Sequence, residues 1–444
     1  MFTAENFRGI FDAINRKGVD LAGRYFPDLE PYTLKVKDKI REIRELRSKQ
    51  GILQPEEFAA NIAKLKADLK DLKLKRSVAI DDAIETVSSE VLRPSFKLAL
   101  TQKVGPQGKA VFCIDETPES FFVMKQLQRN INKIYDVKQS NRHDLVSQLG
   151  DTVKSKFPFE IVRTDISDFY ESIDRKRLLN KLDGDQLLSP SSKKYIKQVL
   201  DSYGSITSTT IGVPRGVGIS AYLAELYLRP IDQQINATPG IVLYCRYVDD
   251  IVAVFARPPA GTTQGSYKDL ILNVFEENGL CHNAAKTKEF NLGLPGGKEF
   301  EYLGYRFAIH DGKCAVFPSA SKIAKYEMRI SAAFDDYEAR SSIDSRRAYR
   351  ELVSRVKFLT GNTRLLNSKS SAAVGIYFNN PAVSDLSSFQ VLDRLLKSRI
   401  DEIKRPNLRK RLKAYKFVDG FSERRFHNFS IKELQTIVKA WKHG

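Results

Sequence analysis

Two adjacent carboxylates, Asp249 and Asp250, lie between apolar runs in the segment LYCRYVDDIVAVF. Such runs are expected in buried strands, and like charges taken out of water together are costly unless a cation neutralises them. A third carboxylate, Asp165, stands near the end of the apolar segment EIVRTDI. Neighbouring strand side chains point to opposite faces, but a tight turn brings one or both toward a shared site. Three carboxylates on adjacent strand ends would make a hard, oxygen-rich site suited to Mg²⁺. Two such ions about 3.5–4 Å apart can activate a 3′-hydroxyl and stabilise a leaving pyrophosphate. Taken alone, Asp-Asp is also an ordinary turn dipeptide, so the surrounding elements must decide.

The apolar spacing predicts those elements. Residues 160–166 read as a short strand, and 241–255 as strand, tight turn, strand. Residues 300–309 and 313–317 add a further hairpin, and 217–235 read as a helix with Tyr222, Ala224 and Leu228 among its apolar positions. FKLAL and KAVFCID read as two strands around GPQG. Residues 119–150 read as helical, with Arg129, Lys133, Lys138 and Arg142 on or near them. Nearer the start, Val36, Ile40, Ile43 and Leu46 form one apolar stripe. Phe58, Ile62, Leu65, Leu69 and Leu72 form another after a break at Gly51 to Pro55. Two helices joined by a turn satisfy this pattern, and packing within the chain or between two chains explains them without chemistry. Beyond residue 320 the chain reads as mostly helical, interrupted by a Ser/Asn/Gly-rich stretch from Asn362 to Ser388.

Composition narrows the function classes. The 444 residues allow two to four domains, and 42% hydrophobic with 28% charged residues is a globular balance that excludes wholesale disorder. No span of about 20 apolar residues is present, which excludes a transmembrane helix. The start, MFTAENFRGIFDAINRKG, lacks a secretory pattern. Cys113, Cys245, Cys281 and Cys314 show no CxxC spacing and read as free thiols of a reducing cytoplasm. A net charge of +18 points to an acidic partner, nucleic acid before an anionic membrane surface. The excess is clustered: residues 321–444 hold 26 Lys/Arg against 13 Asp/Glu, or +13. There, Lys404, Arg405, Arg409, Lys410, Arg411, Lys413, Lys416, Arg424 and Arg425 are interleaved with Tyr415, Phe417, Phe421 and Phe426. Cations that pair with phosphates and rings that stack on unpaired bases would bind RNA. A helix with buried rings and solvated basic side chains would show the same pattern.

Five segments occur in order: TDISDFYESI, GVPRGVGISAYLAELYL, YVDDIVAVF, HNAAKTKEF and EYLGYRF. Over about residues 95–360 this series resembles the palm motifs of reverse transcriptases. The resemblance implies an α+β right-hand polymerase fold: a helical N-terminal region (1–90), fingers (91–160), a palm with part of the fingers inserted (161–318), and a helical, basic thumb or RNA-binding region (319–444). It implies that Asp165, Asp249 and Asp250 are the catalytic, metal-holding residues for two Mg²⁺ ions, with the Ile166 carbonyl as a further ligand. Tyr170 matches the ring that excludes a 2′-hydroxyl, and Asp168 and Phe169 match the lining of the nucleotide pocket. Lys286 matches the lysine beside the leaving phosphate, with Lys288 as its competitor, since either could donate a proton there. Arg142 and Arg129 would hold the triphosphate, where arginine's fork suits phosphate. Tyr302, Leu303 and Gly304 match the primer grip. Gly216 would let backbone approach nucleotide or template. Arg215 stands where many members carry glutamine, whose acceptor it lacks, so a contact with a triphosphate or template phosphate is expected instead.

Within the family, NRHDLVSQL, the VPRGVGIS segment and LTGNTRLLNSKSSAAVGIYFNN resemble the bacterial defence-associated enzymes of the abortive-infection-related unknown groups. The type 2 defence systems fit best; their enzyme copies a partner non-coding RNA into cDNA. The resemblance thus implies a cytoplasmic antiphage enzyme with a structured non-coding RNA template, a DNA primer or cDNA product, dNTPs, and no membrane partner. Open alternatives are untemplated, protein-primed DNA synthesis, a retron-like enzyme, and a non-catalytic RNA-binding scaffold.

Overall fold

The computed structural model describes all residues except 51–53, 106–107, 139, 156, 258–264, 311, 366–371 and 442–444. Parts of three sequence expectations, the break at Gly51, the GPQG turn and the 362–388 interruption, therefore lie outside the described residues. The chain divides into two compact units: Met1–Lys138 with Asp168–Arg229, and Gln139–Ser167 with Pro230–Gly444.

The first unit is mainly helical. The two N-terminal stripes form the helices Glu30–Ser48 and Pro55–Leu92. The second runs well past Leu72, the last residue of its expected stripe. Ile80, Ile84, Val87 and Val91 continue its apolar face into the core and are all buried. Proline at its first position is preorganised for a helix start. The expected strand at FKLAL instead begins at its last residue, as β1 (Leu100–Val104), paired antiparallel with β2 (Ala110–Ile114). Most of β1 is exposed, so backbone pairing rather than burial places it. The helical stretch expected over 119–150 is two helices, Pro118–Tyr135 and Arg142–Val153, in different units. Asp136 ends the first in the left-handed region (φ 46°), and the Asn141 side chain caps the second.

The second unit is built on a four-stranded antiparallel sheet ordered β4-β5-β3-β6, with β3 at Phe159–Asp165, β4 at Ile241–Tyr247, β5 at Asp250–Ala256 and β6 at Lys288–Asn291. Its two inner strands, β5 and β3, are the apolar runs of the sequence. A three-stranded meander follows: β7 (Lys298–Tyr302), β8 (Tyr305–His310) and β9 (Lys313–Pro318). Ile161, Val252, Val254, Phe300 and Phe307 share one core with Phe334, Leu352, Phe389 and Phe417. The helices beyond residue 320 thus pack into the same core as both sheets. Among them, Arg355, only 1% exposed, is neutralised by Asp336 and Glu351, so part of the basic excess is structural. In the interrupted stretch, β10 (Asn362–Arg364) pairs with β11 (Ala373–Gly375). The four cysteines are free. Among the described residues, no helix is long and apolar enough to cross a membrane.

Candidate active site

The carboxylates meet because of strand register. β3 and β5 run antiparallel with Asp165 opposite Asp250, and Tyr247 on β4 lies opposite the same Asp250. Val248 and Asp249 form the two-residue turn between β4 and β5. The Asp249 carbonyl accepts from the Ile166 amide at 3.1 Å, which ties the turn to the end of β3. Asp165 is 6% exposed, and its own carbonyl accepts from Asn283 at 2.8 Å.

The turn is strained. Val248 takes φ 60°, a left-handed conformation that a β-branched residue rarely adopts. Arg246, within the apolar run of β4, holds it. Its Nε and Nη2 donate to the two carboxylate oxygens of Asp232, both at 2.7 Å, and Nη1 donates to the Val248 carbonyl at 3.1 Å. Asp232, on the helix Ser220–Asn236, also accepts from the Tyr244 hydroxyl at 2.8 Å. Arg246 and Asp232 are therefore positioning residues for the turn.

Two cations face the carboxylates. Lys286 Nζ lies 2.8 Å from Asp165 Oδ2, whereas Lys288 lies on β6 opposite Arg163. This geometry distinguishes the two lysine candidates. Arg163 Nη2 lies 3.5 Å from Asp250 Oδ1. Burial nevertheless pushes the Asp250 carboxyl up to about 6; Arg163 pulls it down, Asp165 and Asp249 push it further up, and Lys286 pulls it down. The site is short of positive charge, and hard carboxylate oxygens suit a divalent ion such as Mg²⁺. Among the described residues, no group of three or more His, Cys, Asp or Glu is gathered as a ready-made metal site. Asp165 is engaged by Lys286, so holding an ion with all three carboxylates requires that lysine to turn away.

The remaining expected site residues separate. In the first unit, Tyr170 is half-buried beside Phe169, at 5.1 Å between ring centroids, while Phe169 itself is a core residue at 3% exposure. The Val213 amide donates to the Tyr170 carbonyl at 2.7 Å and fixes that backbone. Arg215 is not free for phosphate: its Nε and Nη2 donate to the Glu171 carboxylate at 3.2 and 3.1 Å, and its guanidinium lies 5.8 Å from the Tyr170 ring centre. The expected phosphate contact of Arg215 is replaced by an internal bidentate pair. Gly216 has φ 94°, and a Cβ there would lie 2.5 Å from Val111 Cγ1 and 2.9 Å from the Phe112 carbonyl. Glycine is required by the approach of β2, a different reason from the expected approach to nucleotide or template. Arg129 is exposed on the helix Pro118–Tyr135.

In the second unit, Arg142 corrects a further expectation. It does not point into open space for a triphosphate; its Nε donates to the Leu303 carbonyl at 3.0 Å and Nη2 donates to the same oxygen. That carbonyl belongs to the two-residue turn between β7 and β8, with Leu303 at φ 47° and Gly304 at φ 71°. Tyr302 is fully buried and Leu303 is 8% exposed, so the turn presents chiefly backbone at Gly304. Lys322 packs beside it, 3.9 Å from the Tyr305 ring centre, and donates to Asn380 Oδ1 at 3.1 Å. Burial, and secondarily Arg142, pulls the Lys322 amine down to about 8.

Along the basic tail, Lys404, Arg405, Lys410, Arg411 and Arg424 are exposed, Arg409 is half-buried, and Arg425 is paired with Glu423 at 2.7 Å. Arg405 joins Arg346, Tyr349 and Arg350 in lining a cleft of about 490 Å³. The helix Ser345–Thr360 contributes Arg346 and Arg350, which the sequence reading missed. Arg346 and Arg350, four apart and so on one helix face, were a signal of a basic face. The expected stacking rings are mostly interior: Phe417 is fully buried, Tyr415 and Phe421 pack on the core, and Phe426 is exposed.

Residues 122–307 match the family model of the reverse transcriptase (RNA-dependent DNA polymerase). That span contains the three carboxylates, Lys286 and the Leu303–Gly304 turn, and excludes the basic tail. No curated protein matches the chain. Solved structures similar to it include a telomerase from Candida albicans with a TWJ fragment of telomeric RNA, at 12% identity and TM-score 0.39, covering 70% of this chain and 64% of that one. Apo telomerase from Candida tropicalis is similar at 13% identity and TM-score 0.41, covering 78% and 63%. An RdRp complex is similar at 8% identity and TM-score 0.33, covering 81% and 39%. The chain thus spans a little under two thirds of either of these two telomerase chains. The family match carries the assignment as far as it reaches: residues 122–307 match a reverse transcriptase domain, and the fold is of the palm-type α+β class.

Proposed function

We propose that this protein copies a structured partner RNA into DNA in bacterial antiphage defence. The observation that carries the polymerase chemistry is the register placing Asp165 opposite Asp250 across β3 and β5, with Asp249 in the adjoining turn. We assign all three carboxylates to metal holding. Two bound Mg²⁺ ions would supply the charge that activates a 3′-hydroxyl and steadies the leaving pyrophosphate. Lys286, which pairs with Asp165, is the proposed proton donor to the leaving phosphate. Tyr170 is the proposed filter against ribonucleotides, its backbone held by Val213 and its ring beside Arg215. The exposed basic residues Lys404, Arg405, Lys410, Arg411 and Arg424 are the proposed RNA contacts. The defence role rests on the likeness of the NRHDLVSQL, VPRGVGIS and GNTRLLNSKSS segments to the defence-associated enzymes.

A second reading, untemplated DNA synthesis, is favoured by one observation. Arg215, at the position where many relatives carry glutamine, is committed to Glu171 and offers nothing to a template. Sequencing the DNA made by the purified protein with its co-purified RNA separates the two. Copies of one RNA support templating; random or homopolymeric product overturns it.

A further inference from the structure

The sequence pattern pointed to Tyr415, Phe417 and Phe421 as stacking rings, yet these serve the core. A different set is at the surface. The Arg364 guanidinium lies 5.5 Å from the Phe426 ring centre. Phe426 lies 5.5 Å from Phe378, and Phe378 lies 5.3 Å from Tyr377. The Arg424 guanidinium lies 4.3 Å from Tyr377. Three rings in continuous contact are therefore capped at both ends by arginine. Phe426 is 41% exposed, Tyr377 and Phe378 are half-buried, and both arginines are exposed. Among the described residues, neither arginine pairs with a carboxylate. The nearby Glu423 is taken by Arg425.

The strip is held rigidly. Asn362, 2% exposed, donates its amide to the Arg425 carbonyl at 2.8 Å and accepts from His427 at 2.7 Å. Its side-chain oxygen accepts from the Tyr377 amide at 3.0 Å, and its side-chain nitrogen donates to the Gly420 carbonyl at 3.2 Å. One buried asparagine thus ties both ring-bearing segments to β10. Rings immobilised before binding lose little entropy when a ligand stacks on them. The strip also lies outside the span that matches the family model, so it is a feature of this chain's own basic region.

We propose that Tyr377, Phe378 and Phe426 form a stacking surface for unpaired bases of single-stranded RNA, with Arg364 and Arg424 taking the flanking phosphates. Charge decides the occupant. An apolar protein partner would leave two desolvated, unpaired arginines, whereas single-stranded nucleic acid uses rings and cations together. The surrounding region carries +13. This inference rests on the RNA-partner reading and adds which part of an RNA is held, its unpaired segment.

The test uses the full chain, with a short labelled single-stranded RNA and the duplex RNA of the same sequence, measured by anisotropy across a salt series. Phe378→Ala with Phe426→Ala should weaken single-strand binding about tenfold or more and leave duplex binding unchanged. Phe426→Trp should retain single-strand affinity, and since that ring is exposed, the fold is kept. Arg364→Gln with Arg424→Gln should flatten the single-strand salt slope by about 1.4. Single-strand affinity unchanged in the double alanine variant overturns the inference. So does an equal loss on single strand and duplex, or a loss seen with single-stranded DNA but not RNA. If the unaltered protein binds neither RNA, the RNA-partner reading itself fails and the inference falls with it.

Discussion

Arg246→Met tests the claim that strain in the carboxylate turn is held down by one buried ion pair. The Arg246 side chain is 9% exposed and Asp232 is 22% exposed. A hydrogen bond from a charged donor to the Val248 carbonyl contributes about 1.5–3 kcal/mol. Holding valine in the left-handed region costs about 1–2 kcal/mol. The two are of similar size, so without the arginine the turn relaxes. A displacement of about 1 Å at reacting groups costs on the order of 100-fold in rate, and Asp249 and Asp250 follow Val248 directly. Arg246→Met should therefore lower kcat for dNTP incorporation about 100-fold with KM little changed. Asp232→Ala removes the carboxylate that takes two of the guanidinium's donors, and should cost about 1.5–3 kcal/mol in urea unfolding. The deciding variant is Val248→Gly in the Arg246→Met background. Glycine takes positive φ freely, so it should recover about tenfold of the lost rate, in line with the ~1–2 kcal/mol of strain removed. Initial rates over a dNTP series on a primed RNA measure this. No recovery with glycine, or wild-type kcat in Arg246→Met, would refute the reasoning.

Gly216→Ala should lower stability by about 1–3 kcal/mol, because the new methyl meets β2 at a positive φ; an unchanged melting temperature contradicts this. The Lys322 amine is pulled below its unfolded value of 10.5 to about 8, so the folded chain loses that proton first. The resulting penalty is fully present below pH 8, and stability should rise from there toward pH 10.5. Lys322→Met should remove that rise and add about 1 kcal/mol near neutral pH, after discounting for partial exposure; denaturant titrations at pH 7.5 and 9.5 check both. Tyr170→Ala should raise ribonucleotide incorporation relative to deoxynucleotides in a competition assay, and no increase removes Tyr170 as the filter.

The strands that end beside Asp165, Asp249 and Asp250 were legible because their apolar runs read as buried strands. The pairing that sets Asp165 opposite Asp250 was not, since it depends on which strand lies between which. Arg246 was visible only as an interruption in an apolar run. A lone arginine there demands a buried partner, but nothing local marks Asp232 on a neighbouring helix as that partner. Arg142 read as a phosphate ligand because its chemistry suits one. Its partner, the Leu303 carbonyl, is 161 positions away and is a backbone atom with no signature in residue type. In the tail, ring spacing alone could not separate Phe417 in the core from Phe426 at the surface. Nor did it suggest that Tyr377 and Phe378, some fifty residues earlier, would join Phe426.

The central claim is that the three carboxylates carry metal-dependent DNA synthesis. Its most direct measurement is incorporation of labelled dNTPs by the purified protein with its RNA and Mg²⁺, beside Asp249→Ala with Asp250→Ala. Incorporation should require the divalent ion and vanish in the double variant while RNA binding persists. Unchanged incorporation in that variant would contradict the account.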